Sequence, residues 1–151
     1  TGLCLEWLDR ADLAGREVVD YGCGSGILAI AAARLGARRV IAIDNDPQAL
    51  IATRDNAAAN EVRSTVYARA PSSEAPAADI LLANILAGPL IELAPTFAAA
   101  VRPGGRLVLS GILATQGPAV AAAYEPWFEL NPPAAQEDWL RLDGCRRPEE
   151  S

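Results

Sequence analysis

Short, nearly continuous apolar runs alternate with longer stretches of helical periodicity along the chain. Leu3, Trp7, Leu8 and Ala11 share one face of an opening helix, which Ala14-Gly15-Arg16 ends. Glu17 to Tyr21 reads as a buried strand centred on Val18 and Val19. Ser25 to Leu35 is apolar nearly all round, which predicts a helix buried against a sheet, with Gly36 at its C-terminal cap. Val40 to Ile43 is a second strand. Asp46-Pro47 then pairs an N-cap residue with a proline at the first helical position of a helix that runs to about Asn60. Ser64 to Ala68 is a weaker third strand, Pro71 to Ala78 a small-residue loop, and Ile80 to Ala83 a fourth strand. Pro89 to Val101 is helical, kinked or split by Pro95. Arg102-Pro103-Gly104-Gly105 is a turn, Arg106 to Ser110 a fifth strand, and Gln116 to Tyr124 a helix. Trp127 to Leu130 and Trp139 to Leu142 form a closing antiparallel pair, and Arg146 to Ser151 a frayed polar tail.

Strands alternating with helices predict βαβ units and an α/β fold. Its sheet is mostly parallel with an antiparallel edge, and helices cover both faces. Ligands in such sheets bind beyond the carboxyl ends of the strands. There is no internal repeat and no low-complexity linker, so residues 1–145 form one domain followed by the tail at 146–151. The chain starts without an initiator Met, which points to a piece of a longer protein.

Composition narrows the chemistry. The 151 residues carry 13 basic and 19 acidic side chains, a net charge of -6. That balance disfavours a broad contact with a nucleic-acid backbone and is compatible with a basic partner. Histidine is absent, which removes imidazole catalysis and His-based metal sites, and no metal is expected. Cys4, Cys23 and Cys145 form no C-x-x-C pair or even-numbered framework, so the expected setting is reducing and cytoplasmic. The longest purely apolar run, Ile27 to Ala33, is far too short to span a bilayer.

Three constellations stand where strands end. Gly22, Gly24 and Gly26 alternate along the turn after the first strand, where glycine permits tight backbone and close approach of a ligand. The first-turn N–H groups of the following helix could meet a carboxylate or a phosphate. The third glycine comes one residue too early for a dinucleotide-binding turn. Asp20 before the turn would repel a pyrophosphate but suits the α-ammonium of a methionine moiety; the competing reading is that it caps the turn. Asp44 ends the second strand 18 residues after Gly26, close to the spacing at which an acidic residue accepts hydrogen bonds from ribose hydroxyls. Asn84 ends the fourth strand, where its amide oxygen can accept a hydrogen bond from an amine nucleophile.

Val19-Asp20-Tyr21-Gly22-Cys23-Gly24-Ser25-Gly26, followed by Ile27-Leu28-Ala29-Ile30, resembles the first motif of class I S-adenosylmethionine-dependent methyltransferases. Asn84-Ile85-Leu86-Ala87-Gly88-Pro89-Leu90 is narrower. With Leu3-Cys4-Leu5-Glu6-Trp7-Leu8 before it, and Leu109-Ser110-Gly111-Ile112-Leu113 and Glu137-Asp138-Trp139 after it, the chain resembles the ribosomal protein L-eleven methyltransferase (PrmA) family from Thr1 to Arg147. The resemblance implies a Rossmann-like class I methyltransferase sheet with S-adenosylmethionine as cofactor. It implies methyl transfer to lysine ε-amines and an N-terminal α-amine of a large-subunit ribosomal protein. Gly22 would meet the cofactor, Asp44 its ribose, and Asn84 its methionine end and the incoming amine. Thr1 aligns with the last threonine of a cofactor-contacting segment. The family's N-terminal substrate-recognition domain is absent from these residues, and the third-strand segment Tyr67-Ala68-Arg69-Ala70 offers no acidic partner for the adenine. Three rivals stand beside this reading: a cofactor-binding module inactive without that domain, a methyltransferase for another protein or a small amine, and an NAD-dependent oxidoreductase, which the glycine spacing disfavours.

Overall fold

The computed structural model describes residues 1–72 and 77–148. Helix α1 (Gly2–Arg10) leads into β1 (Glu17–Tyr21), α2 (Ile27–Arg34), β2 (Arg39–Ile43), α3 (Pro47–Ala59), β3 (Val66–Arg69) and β4 (Ala78–Asn84). Helices α4 (Ala87–Glu92) and α5 (Ala94–Ala100) precede β5 (Val101–Leu113), α6 (Gly117–Tyr124), β6 (Phe128–Leu130), β7 (Ala134–Gln136) and β8 (Trp139–Arg146). The strands lie in the order β3-β2-β1-β4-β5-β8-β6, with β7 paired to β8 off that path. All pairs from β3 to β5 are parallel, and every pair involving β8 is antiparallel.

Alternation along the strands divides the core into two layers. Val19, Ile41, Leu81, Leu107 and Leu109 pack with α4, α5 and α6 residues such as Leu90, Phe97 and Val120. Val18, Val40, Ala42, Ile80, Leu82 and Val108 pack with Cys4, Leu8, Leu28 and Ala57 from α1, α2 and α3. Period-two side-chain alternation is what allows one sheet to feed two cores.

Local signals decide several boundaries. The Asp46 carboxylate accepts the Gln48 N–H at 2.9 Å with Pro47 opening α3. Pro95 lies in the first turn of α5, so of the two expected outcomes, kink or split, the helix splits, at Leu93. The opening helix ends earlier than expected, at Arg10 with Ala11 extended as its cap. The Arg102–Gly105 turn does not precede the fifth strand but interrupts it. Ala78 pairs with Val101 and Ile80 with Arg106, so the intervening residues loop out of the ladder. The Arg102 guanidinium ties that excursion to Asp79 at 2.9 Å.

The closing strands are real, but their partners differ from the expected pair. Trp127–Leu130 does not lie opposite Trp139–Leu142. Phe128 to Leu130 pair with Gly144 to Arg146, while Trp139 and Leu140 sit between Leu113 and Ile112 of β5 and Gln136 and Ala135 of β7. The β7–β8 hairpin turns on Glu137 and Asp138, with Glu137 at φ 56°. Arg146 belongs to β8 rather than to the tail, and its guanidinium donates to the Ala98 and Trp127 carbonyls. Residues 149–151 of the tail and 73–76 of the Pro71–Ala78 loop lie outside the described residues.

Candidate functional site

The strand ends place five of the seven expected residues around one edge of the sheet. In the turn after β1, Gly22, Gly24 and Gly26 take φ values of 79°, 55° and 89°, left-handed backbone that a side chain would strain. Gly22 and Cys23 donate their N–H groups to the Ile43 carbonyl at 2.7 and 3.0 Å, which bends the turn over the end of β2. Gly24 is exposed, with no atom within 4 Å of where a Cβ would stand. Gly22 lines a groove of about 450 Å³ together with Asp44, Pro71, Ile85 and Leu86.

Asp44 is half-buried at the tip of β2. Its Oδ2 accepts the Gly24 N–H at 3.0 Å and its Oδ1 accepts the Asp46 N–H at 3.0 Å. Each carboxylate oxygen keeps a second lone pair, so the fixed side chain can still accept from a ligand hydroxyl. Asn84 at the tip of β4 donates through Nδ2 to the Thr1 hydroxyl at 2.9 Å, and its Oδ1 accepts from the Ser110 hydroxyl at 2.8 Å. Thr1, Asn84 and Ser110 line a second groove of about 250 Å³ with Gly111, Gln136 and Trp139. The two grooves flank the Asn84–Leu86 segment.

Two expected contacts come out differently. Gly26 is buried, and a Cβ there would approach Thr53 Cγ2 to 3.0 Å, so its missing side chain admits α3 rather than a ligand. Asp20 is 1% exposed and lies on neither groove wall. It shares the sheet face of Val18, beneath α1 and α2, and accepts the backbone N–H of Ala29 in the first turn of α2. It therefore caps a helix from the preceding strand and takes one of the N–H groups that could otherwise have met a ligand. Its Oδ2 has no hydrogen-bond partner among the described residues. Burial, outweighing the Ala29 bond and reinforced by the nearby Asp44 charge, pushes its carboxyl up to about 7.

The sequence model of the ribosomal protein L11 methyltransferase (PrmA) family matches residues 1–147. The chain belongs to this family. It is 57% identical over 150 residues to the ribosomal protein L11 methyltransferase of Pseudomonas aeruginosa (strain LESB58), covering 97% of this chain and 51% of that protein. It is 54% identical over 146 residues to the one from Vibrio cholerae serotype O1, covering 95% and 50%. The chain thus spans about half the length of the curated relatives it matches. Among solved structures, the ribosomal protein L11 methylase of Lactobacillus delbrueckii subsp. bulgaricus superposes with TM-score 0.89 at 32% identity, over 96% of this chain and 77% of that one. An RNA methyltransferase from Salinibacter ruber, in complex with S-adenosyl-L-homocysteine, shares the fold with TM-score 0.80 at 20% identity, over 100% and 94%.

Four neighbours of these grooves were not singled out from sequence. Thr53, fully buried on α3, donates to the Gly24 carbonyl at 3.0 Å, and Asn56 donates to the Ser25 carbonyl at 2.9 Å, so α3 holds the glycine turn from behind. Arg141 donates to the Leu3 carbonyl at 2.9 Å, seating α1 so that Thr1 reaches Asn84. Ser110 closes the parallel ladder between β5 and β4, where it is the register partner of Asn84. A polar residue closing an apolar strand next to a functional strand end is a signal that could have found it. Thr53 and Arg141 left no such signal, because helical spacing alone does not say which turn they touch.

Proposed function

We propose that this chain holds S-adenosylmethionine across the two grooves and transfers its methyl group to amines of a large-subunit ribosomal protein, the class of substrate its relatives are named for. The observation that carries the reading is the convergence of Gly22, Gly24, Asp44, Asn84 and Thr1 at the strand ends of a chain belonging to this family. The residues fit such a cofactor. Gly24 faces open space, Asp44 offers two spare lone pairs, and the unpartnered Asp20 oxygen lies behind the glycine turn, where a cation bound nearby would favour its ionised form.

When bound, the cofactor supplies a methyl group on a positively charged sulfur, already a good leaving group. Gly22 and Gly24 offer backbone without steric obstruction, and Asp44 accepts from the ribose hydroxyls. Asn84 Oδ1 accepts a hydrogen bond from the incoming amine through the lone pair that Ser110 leaves free. A neutral amide orients the amine without stabilising its ammonium form, as a carboxylate would. Lysine's ordinary pKa, near 10.4, makes loss of that proton a requirement, and a drier site lowers it. Positioning therefore carries the rate. The setting proposed is the cytoplasm. Among the described residues no helix is long and apolar enough to cross a membrane.

Titration of the chain with S-adenosylhomocysteine by calorimetry, and labelled-methyl transfer to ribosomal protein L11, test this reading together. Asn84→Ala is expected to reduce transfer roughly a hundredfold while changing cofactor affinity far less. Equal losses, or none, would remove Asn84 from the amine's path. The span of about half the relatives' length favours a second reading, cofactor binding without turnover; it predicts calorimetric binding and no labelled product.

A further inference from the structure

A buried polar chain runs from α1 to the tip of β4. Cys4 is completely buried, and its Sγ lies 3.0 Å from the Ser110 hydroxyl, itself 1% exposed. The Ser110 hydroxyl donates to Asn84 Oδ1 at 2.8 Å, and Asn84 Nδ2 donates to Thr1. Ser110 owns a single hydrogen, and Asn84 Oδ1 can only accept, so the thiol is the donor in the Cys4–Ser110 contact. Burial pushes the Cys4 thiol up, against the opposing pull of the Ser110 bond, which keeps the sulfur protonated and able to donate. The chain is directional from Cys4 to Thr1.

We propose that Ser110, its hydroxyl aimed by the Cys4 thiol, is a positioning residue that fixes which way the Asn84 side-chain amide faces. An amide can rotate to exchange its oxygen and nitrogen, and only one orientation offers an acceptor to an amine. Ser110 occupies one lone pair of Oδ1 and Thr1 one hydrogen of Nδ2, so turning the amide breaks both bonds. Parallel register makes this possible, since Asn84 and Ser110 stand side by side on the sheet face that α1 covers. Gly111 keeps the neighbouring chain close, because a Cβ there would come within 2.6 Å of the Ile85 carbonyl.

This inference rests on the reading of Asn84 as the amine's acceptor, but its test reads the amide directly. The Asn84 side-chain N–H₂ resonances are assigned in the intact chain by their loss in Asn84→Ala. In the parent they should appear as one resolved, slowly exchanging pair. Ser110→Ala and Cys4→Ala should shift and broaden both signals of that pair, whereas Cys4→Ser, which keeps a donor, should leave them as in the parent. Transfer should fall roughly five- to tenfold in Ser110→Ala, the effect of one hydrogen bond, with S-adenosylhomocysteine affinity held within about twofold. An unchanged Asn84 pair in both alanine variants overturns the proposal. Should Ser110→Ala fail to fold, the Cys4→Ala and Cys4→Ser pair decides alone. Absent cofactor binding in the parent would instead overturn the proposed function and leave the amide readout standing.

Discussion

Asp20→Asn isolates the buried carboxyl behind the glycine turn. The group is raised from 3.8 to about 7, chiefly by burial. Below pH 3.8 it is protonated whether the chain is folded or not. Between 3.8 and 7 the unfolded chain gives up the proton while the folded chain keeps it. Unfolding then releases a proton, and raising the pH favours unfolding. The stability this group contributes is present in acid and is lost as pH rises through 7, opposite in sign to a salt-bridged aspartate. A shift of this size corresponds to on the order of 4 kcal/mol in total, of which about 3 kcal/mol falls between pH 5 and 8. Asparagine has nearly the same shape and no charge, so the variant escapes the penalty. Its amide nitrogen would occupy the place of the unpartnered Oδ2, which costs about 1–3 kcal/mol at every pH.

Urea unfolding of parent and variant at pH 5 and pH 8 separates the two effects. The constant cost cancels when the two pH values are compared, and so do the titrations of the carboxylates that do not interact with Asp20. The stability of Asp20→Asn relative to the parent should rise by about 3 kcal/mol from pH 5 to pH 8. A difference that stays flat over this range would show that Asp20 is ionised normally in the folded chain, and would refute the burial argument. The same carboxyl links to the ligand. A sulfonium bound nearby favours the ionised form, so affinity for S-adenosylmethionine should rise with pH up to about 7 in the parent and flatten in the variant.

Asp44→Ala removes the acceptor of the Gly24 and Asp46 N–H groups, and S-adenosylhomocysteine affinity measured by calorimetry should fall by at least about tenfold. Gly111→Ala puts a side chain at φ 83° against the Ile85 carbonyl, and urea unfolding should show a loss of about 2–3 kcal/mol, with Asn84 displaced. Tyr124→Phe removes a buried hydroxyl that donates to the Leu90 carbonyl at 2.6 Å; stability should fall by about 1 kcal/mol with cofactor affinity unchanged, a control remote from the grooves.

What could be read from sequence was what local chemistry decides. The first strand and the Asp46-Pro47 start of α3 need only neighbouring residues, and both stand as expected. The break at Pro95 follows from one residue's geometry. The β7–β8 hairpin was hidden because its turn is Glu137-Asp138, without the glycine that usually marks two such residues. Without that turn, β8 could not be seen as the strand between β5 and β6, and Trp139 was assigned the wrong neighbour. The Arg102–Gly105 excursion looked like a boundary because a proline and two glycines normally end an element; only pairing with β4 on both sides reveals one strand.

The site was half legible for a related reason. Glycine spacing and strand ends identify which residues reach the sheet edge, but alternation decides which face each side chain takes. Asp20 follows Val18 on the α1 side, and Asn84 and Ser110 follow Leu82 and Val108 there too. That shared parity buries Asp20 two residues before the groove begins and brings Asn84, at the very tip of its strand, to the surface beside Ser110. A carboxylate and an amide that sequence places at equivalent strand ends thus meet opposite environments, one dry and one open. The glycine turn lies between them. Its backbone is held from behind by α3 through Thr53, and the carboxyl beneath it keeps one oxygen, Oδ2, without a hydrogen-bond partner among the described residues.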